Sequence, residues 1–353
     1  MRLIGLILGT CVFAAGAAGQ PDASGIEFVT VGDPGNPAWT GGGLNNGRGA
    51  VDYQFRIGKF EVTTAQWAEF MNAALDRPST DRIPHVFAPS QWGAVGATPQ
   101  NPGGQRFTVP AGREMIPTGG VDWRTSAIFC NWLHNGKGTS RESFLSGAYD
   151  VSTFGYIGDG GGFTDQLTRS PGARYYIPSL DEWMKASHWS PDRNGPGQGG
   201  WYLYSNSSDS PHRYGPPGVL VNGQPATANA GWNDFTYPGH NPFSISLGSY
   251  TGVTSPWGLM DVAGGTSEWT EGTFWIPGEP VPRGRVYEGS GWVISPDFSD
   301  HVRSAGGSDF PTFFGFDIGL RVAAAVPSPG CLLTVILGSS LVARRRRRRP
   351  MRQ

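Results

Sequence analysis

Asp261 and Glu268 close the two ends of the run Val262-Ala263-Gly264-Gly265-Thr266-Ser267, inside a string that begins Pro256-Trp257-Gly258 and ends at Trp269. An acid at each end of a glycine turn can fold back on a hard cation, with turn carbonyls filling the remaining positions. The plainer alternative is an ordinary turn with Glu268 paired to an arginine. A second set, Asp297, Asp300 and His301, offers two carboxylates and an imidazole. Such a set suits a facial iron triad or an acid–base pair, and equally a solvated turn. The six histidines, His85, His134, His188, His212, His240 and His301, lack the i, i+4 and His-x-His spacings of a metal site. No Gly-x-Ser-x-Gly, phosphate-binding loop or dinucleotide fingerprint falls in a strand–turn–helix setting.

Thiol chemistry is bounded by three cysteines, Cys11, Cys130 and Cys331. The first lies in an apolar N-terminal run and the last in the C-terminal tail, so Cys130 alone belongs to the body and no internal disulfide is expected there. Beside Phe129 and Trp132 on a helix, it reads as a small buried hydrophobe.

Both ends read as sorting devices. Residues 1–19 have the form of a secretory signal: Arg2, an apolar run from Leu3 to Ala15, then small residues for cleavage. Within it, Leu8-Gly9-Thr10-Cys11 is similar to a lipoprotein box set early. Residues 326–353 combine Val326-Pro327-Ser328-Pro329, an apolar stretch from Cys331 to Ala343, and six arginines from Arg344 to Arg349. Basic residues after an apolar run stay cytoplasmic, which gives a transient membrane anchor. Eight of the 27 basic residues lie in these ends (Arg2, Arg344 to Arg349, Arg352), so the body is acidic against 28 Asp and Glu. That balance excludes a nucleic-acid surface on the body.

The body spans residues 50–325 after an irregular lead-in over 20–49; the whole chain is rich in glycine (54) and proline (29), yet its 13 Trp and 19 Phe argue against disorder. Tyr53 to Ile57 alternates as a half-buried strand. Thr63 or Thr64 caps a helix through Leu75, with Trp67, Phe70, Met71 and Ala74 at i, i+3, i+4, i+7. Asp122 caps a helix from Trp123 to His134, and Ser179-Leu180-Asp181-Glu182 is a capping box opening a third. Gly284 to Tyr287 and Gly319 to Ala323 read as short strands. The fold class is α+β, irregular and loop-rich, with two or three short helices and short antiparallel strands. Trp201, Tyr202, Tyr204, Trp232, Phe235 and Tyr237, in a glycine-rich region, suit sugar or peptide binding, or fold onto their own core.

Five strings, in order, resemble the formylglycine-generating enzyme family (sulfatase-modifying factor domains). They are Phe55 to Thr63; Gly120-Val121-Asp122-Trp123 with Cys130-Asn131-Trp132-Leu133; Tyr176-Ile177-Pro178-Ser179 with Glu182-Trp183; Trp257 to Trp269; and Gly319-Leu320-Arg321-Val322. The resemblance implies a variant of the C-type-lectin architecture. It also implies an oxidation of a sulfatase cysteine to formylglycine by two cysteines that hold Cu(I). By position those cysteines fall at Ile294 and Ser299, and neither side chain binds Cu(I). Copper is therefore not expected. The same resemblance implies structural calcium, with Asp261 and Glu268 as side-chain ligands and Gly264 and Thr266 as carbonyl ligands. A second calcium falls at Asn229 and Ala230, with Asn241 and Phe243 as return ligands. The related ergothioneine-type iron oxygenases carry an upstream histidine-rich helical domain that this sequence lacks. The tail resembles the PEP-CTERM sorting tails of Gram-negative surface proteins, with Pro-Ser-Pro in place of Pro-Glu-Pro. It implies removal by an exosortase, the alternative being a plain stop-transfer anchor. The functional expectation is an exported surface binding or structural module with a glycan or protein ligand. The alternatives are a non-haem metal enzyme on the same scaffold and an authentic formylglycine-generating oxidase.

Overall fold

The computed structural model describes residues 21–96, 106–158, 161–292, 300–304 and 306–327. The expected signal over 1–19 and nearly all of the expected tail lie outside them. Among the described residues no helix is long and apolar enough to cross a membrane.

Four helices lie among the described residues. Helix α1 (Thr64–Leu75) starts at a full capping box: the Thr63 hydroxyl accepts from the Gln66 N–H, and the Gln66 side chain accepts from the Thr63 N–H. Its expected apolar row, Trp67, Phe70, Met71 and Ala74, is buried. Helix α2 (Trp123–His134) is capped by Asp122, whose carboxylate accepts from the Thr125 N–H at 2.7 Å. It is buried on every side from Trp123 to Leu133, so it runs through the core rather than over it. Its one charged interior residue, Arg124, meets Asp165 through two hydrogen bonds of 2.7 and 2.8 Å, which offsets the burial of both charges. Helix α3 (Glu142–Leu145) is a single turn in the Gly- and Ser-rich stretch after α2. Helix α4 (Leu180–His188) begins at the expected Ser179–Glu182 capping box.

Two four-stranded sheets hold these helices. The first runs in the order Phe28–Val31, Phe55–Gly58, Ala323–Ala325, Tyr175–Tyr176, all antiparallel. The lead-in is therefore not wholly irregular, since Phe28–Val31 pairs with the opening strand of the body. The second sheet runs Gly307–Asp309, Gly284–Glu288, Ser267–Phe274, Ile318–Gly319, with the last pair parallel. The expected closing strand over Gly319 to Ala323 is divided between the two sheets: Ile318–Gly319 belongs to one and Ala323–Ala325 to the other. Arg321 lies in the crossing between them. An aromatic core forms where α1 meets α2, with Trp67 stacked on Phe129 at 4.9 Å and Phe70 edge-on to Phe129 at 5.2 Å. A second cluster, around Trp183, Met184, Trp189 and Trp201, seats α4 against the first sheet and Leu259.

Candidate functional site

The string expected to cradle calcium is only partly a turn. Its last residues, from Ser267 on, start the eight-residue strand Ser267–Phe274, so Glu268 points from a sheet into the core. The strand is buried on both faces over its first five residues, which hides the alternation that would reveal it. Glu268 is fully buried. Arg321 Nε donates to both its oxygens at 2.9 Å, Arg321 Nη2 donates to Oε1 at 2.6 Å, and Trp183 Nε1 donates to Oε2 at 2.7 Å. The guanidinium also reaches the carbonyls of Gly58, Lys59 and Met260 at 3.0, 2.8 and 3.1 Å. One buried charge pair thus ties the opening strand, the Met260 loop and the central strand to the crossing residue.

Asp261 has a left-handed backbone (φ 53°), and its Oδ2 accepts from the Gly248 N–H at 2.6 Å. Burial pushes its carboxyl up to about 6. The glycines between the two acids allow close chain approach. A Cβ on Gly264 would lie 2.5 Å from the Asn229 backbone, and one on Gly265 would lie 3.0 Å from the Glu61 carboxylate. Gly265 N–H donates to the Asn229 carbonyl, and its own carbonyl accepts from Trp292. Thr266 N–H donates to Glu61 Oε1 at 3.0 Å. Burial first, then the neighbouring Glu268 carboxylate, push Glu61 well above the usual carboxylate range. Sequence reasoning missed Glu61 as a member of this cluster. Its nearest signal was an acid in the apolar company of Phe60 and Val62.

The structure brings the second calcium set together. Asn229 Nδ2 donates to the Pro242 carbonyl at 2.9 Å, while Asn229 Oδ1 is buried without a hydrogen-bond partner. Asn241 caps the short turn Pro242–Ser244, its Oδ1 accepting from the Phe243 N–H at 3.0 Å. Ala230 is fully buried behind it.

Of the acid–imidazole set, Asp297 lies outside the described residues, as do Ile294 and Ser299. Asp300 is buried; its Oδ2 accepts from Ser290 Oγ at 2.9 Å and from the Tyr214 hydroxyl at 3.1 Å. His301 faces elsewhere: its ring sits edge-on to Tyr204 at 5.2 Å, and its Nδ1 accepts from the Arg303 N–H. Among the described residues, no group of three or more His, Cys, Asp or Glu is placed to hold a metal ion. The fold does gather histidines that the sequence scatters. His188 and His212 are both buried near His301, and burial pushes them down to about 3 and about 4. Cys130 is fully enclosed in the α1–α2 core, and burial pushes its thiol well above the ordinary value.

Of the two readings open for the Trp201–Tyr237 aromatics, packing onto their own core holds for most of them. Trp201, Tyr204 and Trp232 are buried, Trp201 against Trp39 and Trp189; Phe235 alone of that group is fully open. The contiguous exposed aromatics lie instead on Phe310, Phe313, Phe314 and Phe316, with Tyr156 and Ile157 alongside. The Tyr156 hydroxyl bonds Thr312 Oγ1 at 2.7 Å and its ring meets Phe310 at 6.4 Å, so the two segments form one face. Exposed apolar surface of this kind marks an interaction site more often than a bare surface.

A family model described as the sulfatase-modifying factor enzyme 1-like domain matches residues 46–326. The chain belongs to that family, and its fold is the family's fold. Three solved structures are similar to it. The structure of CarF is 18% identical, covering 86% of this chain and 99% of CarF, with a TM-score of 0.49. PvdO from Pseudomonas aeruginosa is 15% identical, covering 88% of this chain and 98% of PvdO, with a TM-score of 0.48. Treponema denticola variable protein 1 is 15% identical, covering 85% of this chain and 95% of its own, with a TM-score of 0.47. No curated protein matches the chain.

Proposed function

We propose that this chain is an exported binding module on the sulfatase-modifying-factor fold, without the oxidase chemistry of the formylglycine-generating enzymes. One observation carries the reading. Cu(I) is a soft ion that selects thiolates, and the body of the chain has a single thiol, Cys130, sealed in the core between α1 and α2. Ile294 and Ser299, at the positions of the family's cysteine pair, supply an alkyl group and a neutral hydroxyl. What the domain offers a partner is surface: the aromatic face around Phe314, suited to a protein or glycan ligand. Export is supported by the charged, apolar start at Arg2 to Ala15. Exosortase-type sorting, with a transient membrane anchor, is supported by the proline motif, apolar run and arginine cluster of the tail.

A structural calcium fits the turn that joins Asn229 to Asn241. Asn229 Oδ1 is the buried, unpartnered oxygen there, and hard oxygen donors suit Ca2+. At the Asp261–Glu268 string a cation would have to displace the Arg321 guanidinium from Glu268.

The test is an incubation of the purified protein with a sulfatase-type cysteine peptide, copper and oxygen, read by mass spectrometry. Unchanged cysteine is the expected result. Conversion to the aldehyde would contradict the reading.

A further inference from the structure

A cleft of about 610 Å³ opens between the Leu44–Arg48 loop, the first turn of α4 and the second sheet, well within the size range of small-ligand sites. Phe274, Val286 and Ser308 lie along one face of that sheet and line it; Leu44 and Leu180 form the facing walls. Phe274 and Leu44 are exposed, so the cleft has apolar lips.

Its carboxylates are held in place and neutralised by the protein. Asp181 Oδ1 accepts from the Gly49 N–H at 2.7 Å and has Arg48 Nε at 3.2 Å. Glu271 accepts from the Tyr149 hydroxyl at 2.8 Å and the Arg169 N–H at 2.6 Å, with the Arg169 guanidinium at 3.1 Å. At the inner end, on the same face as Val286, Glu288 is buried beside Asn45 and Arg48, two lining residues. Glu288 Oε2 accepts from the Gly306 N–H at 3.2 Å, so this carboxyl is held by the chain itself.

The charge arrangement narrows that partner. An anion would meet Asp181 and Glu271. A cation would meet Arg48 and Arg169, which already balance the two outer acids. What remains is a set of acceptor lone pairs with little net charge, beside an aromatic ring and aliphatic walls. Hydroxyl donors on a ring with apolar C–H faces answer both features.

We propose that this cleft binds a neutral saccharide, whose hydroxyls donate to Asp181 and whose ring face packs on Phe274. The proposal rests on the binding-module reading and supplies its ligand class. The site is separate from the aromatic face around Phe314.

The test uses the purified full chain, titrated calorimetrically with cellotetraose, chitotetraose, laminaritetraose, mannotetraose and maltotetraose. Tetragalacturonate and a chitosan tetramer serve as the anionic and cationic arms. At least one neutral sugar binds, and neither charged arm binds more tightly. Phe274→Ala and Asp181→Asn, both at accessible positions, each weaken binding by about tenfold or more. Phe314→Ser, on the aromatic face, leaves it unchanged. Far-ultraviolet circular dichroism checks that each variant is folded. Binding by none of the neutral sugars, tighter binding of a charged arm, or wild-type affinity in folded Phe274→Ala and Asp181→Asn would overturn the proposal. The outcomes separate from those of the oxidase test: aldehyde formation removes the non-oxidase reading and leaves a measured sugar site standing, whereas failure to bind sugar removes the cleft assignment alone.

Discussion

Replacing Arg321 by methionine tests whether one buried ion pair organises this fold. Methionine keeps much of the side-chain volume and removes the charge and every donor. Glu268 is then left as a fully buried carboxylate with Trp183 Nε1 as its remaining donor, and the carbonyls of Gly58, Lys59 and Met260 each lose a donor, Lys59 keeping the Met260 N–H at 2.9 Å. Removing one partner of a buried pair costs about 3–5 kcal/mol. Orphaned carbonyls add to this, so Arg321→Met is expected to cost at least about 4 kcal/mol. A domain of this kind has a total stability of about 5–15 kcal/mol, so the variant sits near the edge of folding. Its melting temperature falls by about 8 °C or more. Glu268→Gln is milder, because Glu61 can then ionise and face the guanidinium; its expected cost is about 2 kcal/mol. Glu268→Gln/Arg321→Met recovers part of the loss of Arg321→Met, since a pair removed together leaves no lone buried charge. Guanidinium unfolding followed by tryptophan fluorescence ranks the three. An Arg321→Met variant within about 1 kcal/mol of wild type would refute the argument.

Other consequences are measured in the same way. Asp122→Ala removes the cap of α2 at a buried position and is expected to cost about 1–2 kcal/mol; a loss under a few tenths would mean that packing alone starts the helix. Burial holds the folded-state Glu288 at about 8, against an ordinary value of 4.5. Its proton is therefore kept by the folded chain and released by the unfolded one between those limits, and stability from this group falls as pH rises through that window. Glu288→Gln removes the loss, so its stability relative to wild type climbs from pH 5 to pH 8 in paired unfolding curves; a flat difference contradicts the assignment. For calcium, chelation is expected to lower the melting temperature of wild type and to leave Asn229→Ala unmoved, as read by differential scanning fluorimetry. An equal shift in both would place the ion elsewhere.

Helices were legible because their start signals sit beside their apolar rows. Thr63 with Gln66, Asp122, and Ser179 with Glu182 are each within three residues of what they cap, so α1, α2 and α4 could be bounded from local chemistry. Strands were harder. Phe28–Val31 hides in a Gly-, Asn- and Pro-rich lead-in, and Ser267–Phe274 is buried on both faces, so neither shows clean alternation. At the candidate site, residue types were readable and partners were not. Glu268 meets an arginine 53 positions away, on a segment read as continuous strand. Asn229 meets Pro242 across a turn that sequence could place only with a gap. The aromatics near Trp201 left two readings open, a ligand surface or a core of their own, and the glycines around them let Trp39, Trp189 and Trp201 close on one another. The exposed face came from Phe310 to Phe316, a run whose hydrophobicity alone suggests a core.

Cuprous-ion titration against a chromogenic chelator probes the loss of sulfur chemistry most directly. The folded protein is expected to leave the chelator's copper untouched, because Cys130 lies sealed between α1 and α2. Tight one-to-one withdrawal of Cu(I), abolished by Cys130→Ala or by thiol alkylation of the folded chain, would contradict it.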